Sequence, residues 1–308
     1  MKNTTGIHHI TAIVGHPQEN ADFYTKSLGL RLIKKTVNFD DPHTYHLYFG
    51  DQQANPGTII TFFPWVEAEQ GKIGGGQVGV TSFAVPANSL SYWEKRLAEK
   101  GVPLTRTVRF SEQVLQFSDP HGLKLELVER SYDNSHSWSE SDVDPAYAIS
   151  GFAGATLYST NPEATVETLT ETMGLKKLGE EDRVLRLKTN GDLASIIDIP
   201  LDPVMAGEMG VGTVHHIAWR ADDDADHLKW HEHVSANAYQ VTDIKDRNYF
   251  KALYFREYGN ILFEIATDTP GFTVDESLEA LGESLKLPEP LEKDRENLER
   301  ILPPIVQD

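Results

Sequence analysis

The chain has no cysteine among its 308 residues. That excludes disulfides and thiolate chemistry, so any metal must bind through histidine, carboxylate or water. Positive charge is also scarce: 28 Lys and Arg stand against 47 Asp and Glu, a net charge of −19 with His neutral. Nucleic acid and anionic membrane surfaces both select basic proteins, so neither is an expected partner. No apolar run approaches the roughly 18 residues of a membrane span. The opening MKNTTGIHH shows no apolar signal core, and the cytoplasm is the expected location.

What is present is repetition. GIHHITA, from Gly6 to Ala12, is nearly restated as TVHHIA, from Thr213 to Ala218. Both stretches surround a His pair with β-branched and apolar residues and precede a turn-forming segment, the pattern of a strand. Neighbouring strand residues point to opposite faces, so one His of each pair is expected in a common cavity. The pattern strand, helix, three strands then recurs four times, over residues 6–65, 77–130, 151–200 and 212–267. Helices are expected at 17–28, 89–100, 162–173 and 224–236, with Gly29, Gly101 and Gly174 ending the first three. Repetition at this period sets the architecture. The expected fold is α+β, four tandem βαβββ units forming two cup-like modules, since pairing two units covers the open sheet edges. In sequence these are an N-terminal module (6–130), an acidic linker (131–150), a C-terminal module (151–268) and a tail (269–308) with a helix over 291–302.

Aligning the units on their prolines and glycines places His9 opposite Gly154, His216 opposite Ser82, and Glu264 opposite Glu126. Thr61 takes the equivalent place in unit one; unit three shows no clear counterpart, with Ile196 and Asp198 nearby. If neighbouring units pair, each cup receives one His and one Glu, a poor transition-metal site. If unit one pairs with unit four, one cup receives His9, His216 and Glu264. Two His and one carboxylate with open positions is the facial triad of non-haem Fe(II) oxygenases. His8 and His215 are expected to face the other way and to be hydrogen-bonded, and Glu126 to be an echo of the repeat.

Tandem βαβββ units with His on the first strand and Glu on the last resemble the vicinal oxygen chelate superfamily, which includes glyoxalase I and type I extradiol dioxygenases. The stretches GIHHITAIVGHPQENADFY, TVNFDDPHTYHLYFGD, PGTIITFFPW and LKLPEPLEKDRENLERILPP are similar to bacterial ring-cleaving dioxygenases of the methylhydroquinone-inducible kind. The resemblance spans nearly the whole chain. It implies Fe(II) held by His9, His216 and Glu264, and O2-dependent opening of a hydroquinone-like or catechol-like ring; Mn(II) suits the same donors. The expected partners are a small aromatic diol or hydroquinone and O2, and a homo-oligomer fits the reading. Catechol-type extradiol enzymes take both His from their last two units, whereas unit three here has Gly154, which points toward hydroquinone-type substrates.

Tyr254 falls on the strand where extradiol relatives carry an active-site Tyr, and it is expected to donate to metal-bound oxygen. His46 is the expected base or substrate contact. Arg247, Asn248 and Tyr249 are placed at the mouth, and Phe62, Phe63 and Trp65 form an expected apolar wall. A glyoxalase I-like lyase or isomerase is the alternative, but it calls for a fourth protein ligand where Thr61 stands. A non-catalytic aromatic-binding protein is the third reading.

Overall fold

A computed structural model describes residues 2–130, 132 and 135–306. Part of the acidic linker, Ser131, Asp133 and Asn134, therefore lies outside the described residues. All four βαβββ units form. Unit one comprises β1 (Ile7–Val14), α1 (Pro17–Asp22), β2 (Arg31–Asn38), β3 (Asp41–Gly50) and β4 (Ile59–Pro64). Unit two comprises β5 (Gln77–Val85), α2 (Leu90–Glu99), β6 (Leu104–Arg109), β7 (Glu112–Ser118) and β8 (Lys124–Glu129). Unit three comprises β9 (Gly151–Tyr158), α3 (Pro162–Glu167), β10 (Lys176–Glu181), β11 (Val184–Lys188) and β12 (Ile196–Pro200). Unit four comprises β13 (Thr213–Ala221), α4 (Asp224–Ala236), β14 (Lys245–Asp246), β15 (Phe250–Arg256) and β16 (Leu262–Pro270).

Local chemistry explains the first helix of units one and three. Pro17 and Pro162 sit at the first helical position, where their fixed φ fits and no amide hydrogen is missed. Both helices then widen into a π-helical turn, Phe23–Ser27 and Thr168–Thr172, closed by Leu28 N–H on the Phe23 carbonyl and Met173 N–H on the Thr168 carbonyl. Gly29 (φ 73°) and Gly174 (φ 78°) end them in the left-handed region that favours glycine.

The strands make two eight-stranded sheets. One runs β14-β15-β16-β13-β1-β4-β3-β2, the other β10-β11-β12-β9-β5-β8-β7-β6. Unit one therefore shares a sheet with unit four, and unit two with unit three. The two sequence modules, 6–130 and 151–268, are not the two sheets: each sheet takes one unit from each. The first strands make the joint, since β1 pairs antiparallel with β13 and β5 with β9. That joint is what lets two sites 207 residues apart in sequence, His9 and His216, share one sheet.

Unit four departs from its expected strands. Most of YQVTDIKD is irregular: only Lys245–Asp246 is a strand, with one bridge from Val241 to Phe255. The core is continuous through both sheets and includes fully buried Phe62, Trp93, Phe152 and Trp219. In the tail, a 3-10 turn (Glu289–Asp294) leads into α5 (Arg295–Ile301), which packs on β3. Among the described residues, no helix is long and apolar enough to cross a membrane.

Candidate metal centre

The sheet of units one and four brings His9, His216 and Glu264 together, all buried, with ligand atoms within 4.8 Å of one another. Register places them there. On β1, His9 faces Ala218 of β13; on β16, Glu264 also pairs with Ala218; and His216 lies opposite Thr11. Nε2 of His216 is 2.8 Å and Nε2 of His9 is 3.5 Å from Glu264 Oε2. Neither contact has hydrogen-bond geometry, and both Glu264 oxygens are buried without a donor. A buried carboxylate with no donor is costly unless a cation joins it. Two imidazole nitrogens facing that carboxylate fit a metal of the transition series.

The electrostatics keep the donors in their metal-binding forms. Burial pushes the Glu264 carboxyl up, but His9 and His216 outweigh it and hold it well below the usual carboxylate range. Burial lowers the His216 imidazole, partly offset by Glu264.

The first histidine of each pair is where the structure corrects the sequence reading. His8 and His215 do not face away. Nδ1 of His8 lies 2.9 Å from Nδ1 of His9, and Nδ1 of His215 lies 2.8 Å from Nδ1 of His216. The cause is a pair of β-bulges. Between Ile7 and His9, β1 advances two residues while β13 advances one; between His216 and Val214 the reverse occurs. His8 and His215 are the extra residues, and a bulge breaks the strict alternation of faces. The consequence is chemical. If Nε2 of His9 and His216 is to carry the free lone pair, their Nδ1 must hold the proton and donate it to the partner ring. Burial pulls His8 well below its ordinary value and His215 down to about 3, which keeps both rings neutral and able to accept.

The strand registers also correct the alignment of the repeats. Glu126 pairs with Ser82 as Glu264 pairs with Ala218, so the counterpart of Ser82 is Ala218 and that of His216 is Val80. Asp198 pairs with Thr156 as Thr61 pairs with Thr11, which makes Asp198 rather than Ile196 the counterpart of Thr61. Thr61 is no donor for a metal here: its hydroxyl is hydrogen-bonded to Thr11 and to His46, each at 2.8 Å.

Around the triad is a small cavity of about 30 Å³, lined by Asn38, Phe39, Asp40, His46, Tyr48, Phe63, Arg247, Phe250 and Tyr254 as well as the three triad residues. His46 is held at both nitrogens, Nε2 by Thr61 and Nδ1 by the Tyr48 hydroxyl at 2.8 Å. Burial, then the His9 and His216 rings, pull it well below its ordinary value. Tyr254 pairs across strands with Glu264, and its ring meets His216 edge-on at 5.8 Å. Burial and the Glu264 charge push its phenol up, so it stays protonated. Arg247 Nε reaches its hydroxyl at 3.4 Å. Of the expected wall only Phe63 lines the cavity. Phe62 packs against Tyr24 at 4.5 Å in the core, and Trp65 stacks on Phe63 from outside. Sequence reasoning missed Phe250, 5.0 Å from the His9 ring, and Tyr48. Tyr249 does not line the cavity; its hydroxyl donates to Asp275.

Comparison with known proteins adds to this geometry. A family model described as "Glyoxalase/Bleomycin resistance protein/Dioxygenase superfamily" matches residues 6–127 and 151–275. The chain is 56% identical over 303 residues to a Bacillus subtilis protein named "Putative ring-cleaving dioxygenase MhqO", covering 98% of this chain and 97% of the relative. It is 34% identical over 307 residues to the "Chlorohydroquinone/hydroquinone 1,2-dioxygenase" of Sphingobium indicum, covering 96% and 95%. A crystal structure of a "putative dioxygenase" from Bacillus subtilis superposes with a TM-score of 0.98 at 56% identity, covering 99% of each chain. Glyoxalase I from Zea mays shares the fold at a TM-score of 0.67 and 14% identity, over 91% of this chain and 97% of that one.

Proposed function

The chain belongs to the glyoxalase/bleomycin resistance protein/dioxygenase superfamily, and from that membership we propose that it is a ring-cleaving dioxygenase acting on a hydroquinone-like or catechol-like aromatic with O2. His9, His216 and Glu264 hold the metal, Fe(II), with Mn(II) compatible with the same donors. The observation that carries the reading is the donor-free Glu264 carboxylate facing two imidazoles at the base of an aromatic-lined cavity. A relative named for chlorohydroquinone and hydroquinone supports the para-dihydroxylated class.

Bound there, a redox-active divalent metal supplies the acidity that ionises a phenol and the electrons that let closed-shell phenol react with triplet O2. The chain's own residues do the rest. Phe63 and Phe250 hold the ring, Phe250 against His9. His46, neutral and held between Thr61 and Tyr48, is the substrate contact on the cavity wall. Tyr254, kept protonated by burial and braced by Arg247, donates to oxygen over the triad. The acidic, cysteine-free chain is expected to work in the cytoplasm.

The test is anaerobic loading with Fe(II), followed by O2 uptake with a panel of hydroquinones and catechols. Ring-cleaved product formed at one O2 per ring supports the proposal. Tight Zn(II) or Ni(II) binding without O2 uptake, together with hemithioacetal turnover, would overturn it in favour of the lyase reading.

A further inference from the structure

Beyond β16 the chain turns back and packs beside the metal cup, against Tyr48 and Tyr249. Phe272 stacks on Tyr249 at 5.1 Å and meets Tyr48 edge-on at 5.1 Å. Three residues on, Asp275 accepts from two sides. Its Oδ1 takes a hydrogen bond from Lys34 Nζ at 2.6 Å, and its Oδ2 takes one from the Tyr249 hydroxyl at 3.0 Å. Lys34 is wholly buried; its ammonium also binds Glu276 and lies 4.9 Å over the Tyr249 ring.

The two partners of Asp275 come from opposite ends of one sheet. Lys34 is on β2, the last strand of unit one in the sheet; Tyr249 is in the turn between β14 and β15, the far edge of unit four. Those two edges are the lips of the mouth. They also meet at the ion pair between Arg247 Nη2 and Asp40 Oδ2, 2.8 Å long. The two ties differ in burial. Asp40 is largely exposed, so that pair is worth little and parts easily. Lys34 is buried and its ammonium is shared between Asp275 and Glu276, so that tie is the more firmly held.

A cavity of about 30 Å³ accepts a water or two, whereas pockets for small ligands begin at roughly 300 Å³. A ring therefore enters only when the lips part. We propose that Asp275 is a positioning residue: by joining Lys34 to Tyr249 it pins the turn that carries Arg247 and Phe250, and so sets how far the mouth opens over the triad. The pin is the fixed end of the motion and the Asp40–Arg247 pair the end that yields. This inference rests on the metal-centre reading of the cup, not on which ring is cleaved.

The test uses the Fe(II)-loaded protein and three variants. Tyr249→Phe keeps the ring and its stacking but removes the hydroxyl. Asp275→Asn removes the charge while leaving Glu276 on Lys34. Leu298→Ala, in α5 and away from the clip, controls for general weakening of the tail. The first readout is the rate at which EDTA strips iron; the second is KM and kcat for hydroquinone. Tyr249→Phe and Asp275→Asn are expected to release iron about 5-fold faster and to raise KM about 5-fold with kcat within about twofold of the parent. Leu298→Ala is expected to lower Tm and leave both readouts at parent values. Variants of the clip that lower Tm but match Leu298→Ala in iron release and KM would overturn the proposal. If the parent cleaves no hydroquinone while the clip variants still release iron faster, the substrate reading fails and the positioning role stands. If the parent holds no metal, both fall.

Discussion

The two cups are built from the same repeat and meet the same buried carboxylate differently. In the sheet of units one and four, Glu264 faces His9 and His216 and receives no hydrogen bond. In the sheet of units two and three, Glu126 is fully satisfied. Arg109 binds it in parallel through both terminal nitrogens at 2.9 and 2.8 Å, Gln116 donates to it at 2.7 Å and Ser82 at 2.8 Å. Arg109 also reaches Asp198, which is bound in turn by Arg186. The second cup thus carries its own cation. Burial raises the Glu126 carboxyl, but Arg109 more than offsets it and leaves it below its ordinary value.

The difference turns on a few exchanged residues at matched places. Gln116 pairs with Glu126 as Tyr254 pairs with Glu264. Arg109 and Arg247 each precede a tight hairpin turn, flanked at its far side by Glu112 and Phe250. Arg109 points inward to the carboxylates, whereas Arg247 is drawn to Asp40 at the rim. A carboxylate on the last strand is a feature of the repeat, and it needs a cation. One cup supplies it from the chain; the other leaves the place open.

The largest test of this contrast is to remove an imidazole. His9→Ala or His216→Ala is expected to cost at least about 10³-fold in O2-dependent turnover of hydroquinone; wild-type turnover from either variant would break the comparison. Next comes Glu126→Gln. With Arg109 left short of its partner, urea melts should show a loss of about 3 kcal/mol, with turnover per folded molecule retained. His8→Ala sharpens the contrast from within the metal cup: losing the acceptor behind His9 should weaken metal binding about 10–100-fold in a chelator titration, while the triad itself remains.

The smallest effect per group is on pH. Burial lowers His8, His215 and His216 in the folded chain. Their unfolded counterparts take up protons below about pH 6.5, so the unfolded state binds more protons and stability falls as pH falls from there. Each group contributes at most about 1.4 kcal/mol per pH unit. The second cup responds lower: Glu126 and Glu112 are held below their ordinary value of 4.5, so their stabilisation is present above that pH and is lost as pH drops through the folded values. Urea melts of metal-free protein should therefore weaken between pH 7 and 5. A flat profile there would contradict the neutral-histidine account.

Much of this contrast was legible in residues alone. The four units show in the recurring strand and helix patterns and in Gly29 and Gly174, because turn and cap chemistry is local. The pairing of units one and four followed from asking where two His and one Glu could meet. What stayed hidden is what depends on pairing between distant strands. A bulge is an extra residue relative to a partner, and nothing in GIHHITA announces that His8 is one. The alignment that set Ser82 rather than Val80 against His216 was off by two residues, and only the pairing with the last strands reveals it. Nothing local marks Arg109 as the partner of Glu126 and Asp198, which come from other strands. The clip at Asp275 joins three segments spread over 241 residues, beyond the reach of any local pattern.

The most direct measurement is the metal content of three proteins after the same anaerobic Fe(II) loading and desalting: the parent, Glu264→Gln and Glu126→Gln. The account predicts about one iron per chain in the parent and in Glu126→Gln, and almost none in Glu264→Gln. Iron retained by Glu264→Gln but lost from Glu126→Gln would put the centre in the other cup and contradict the account.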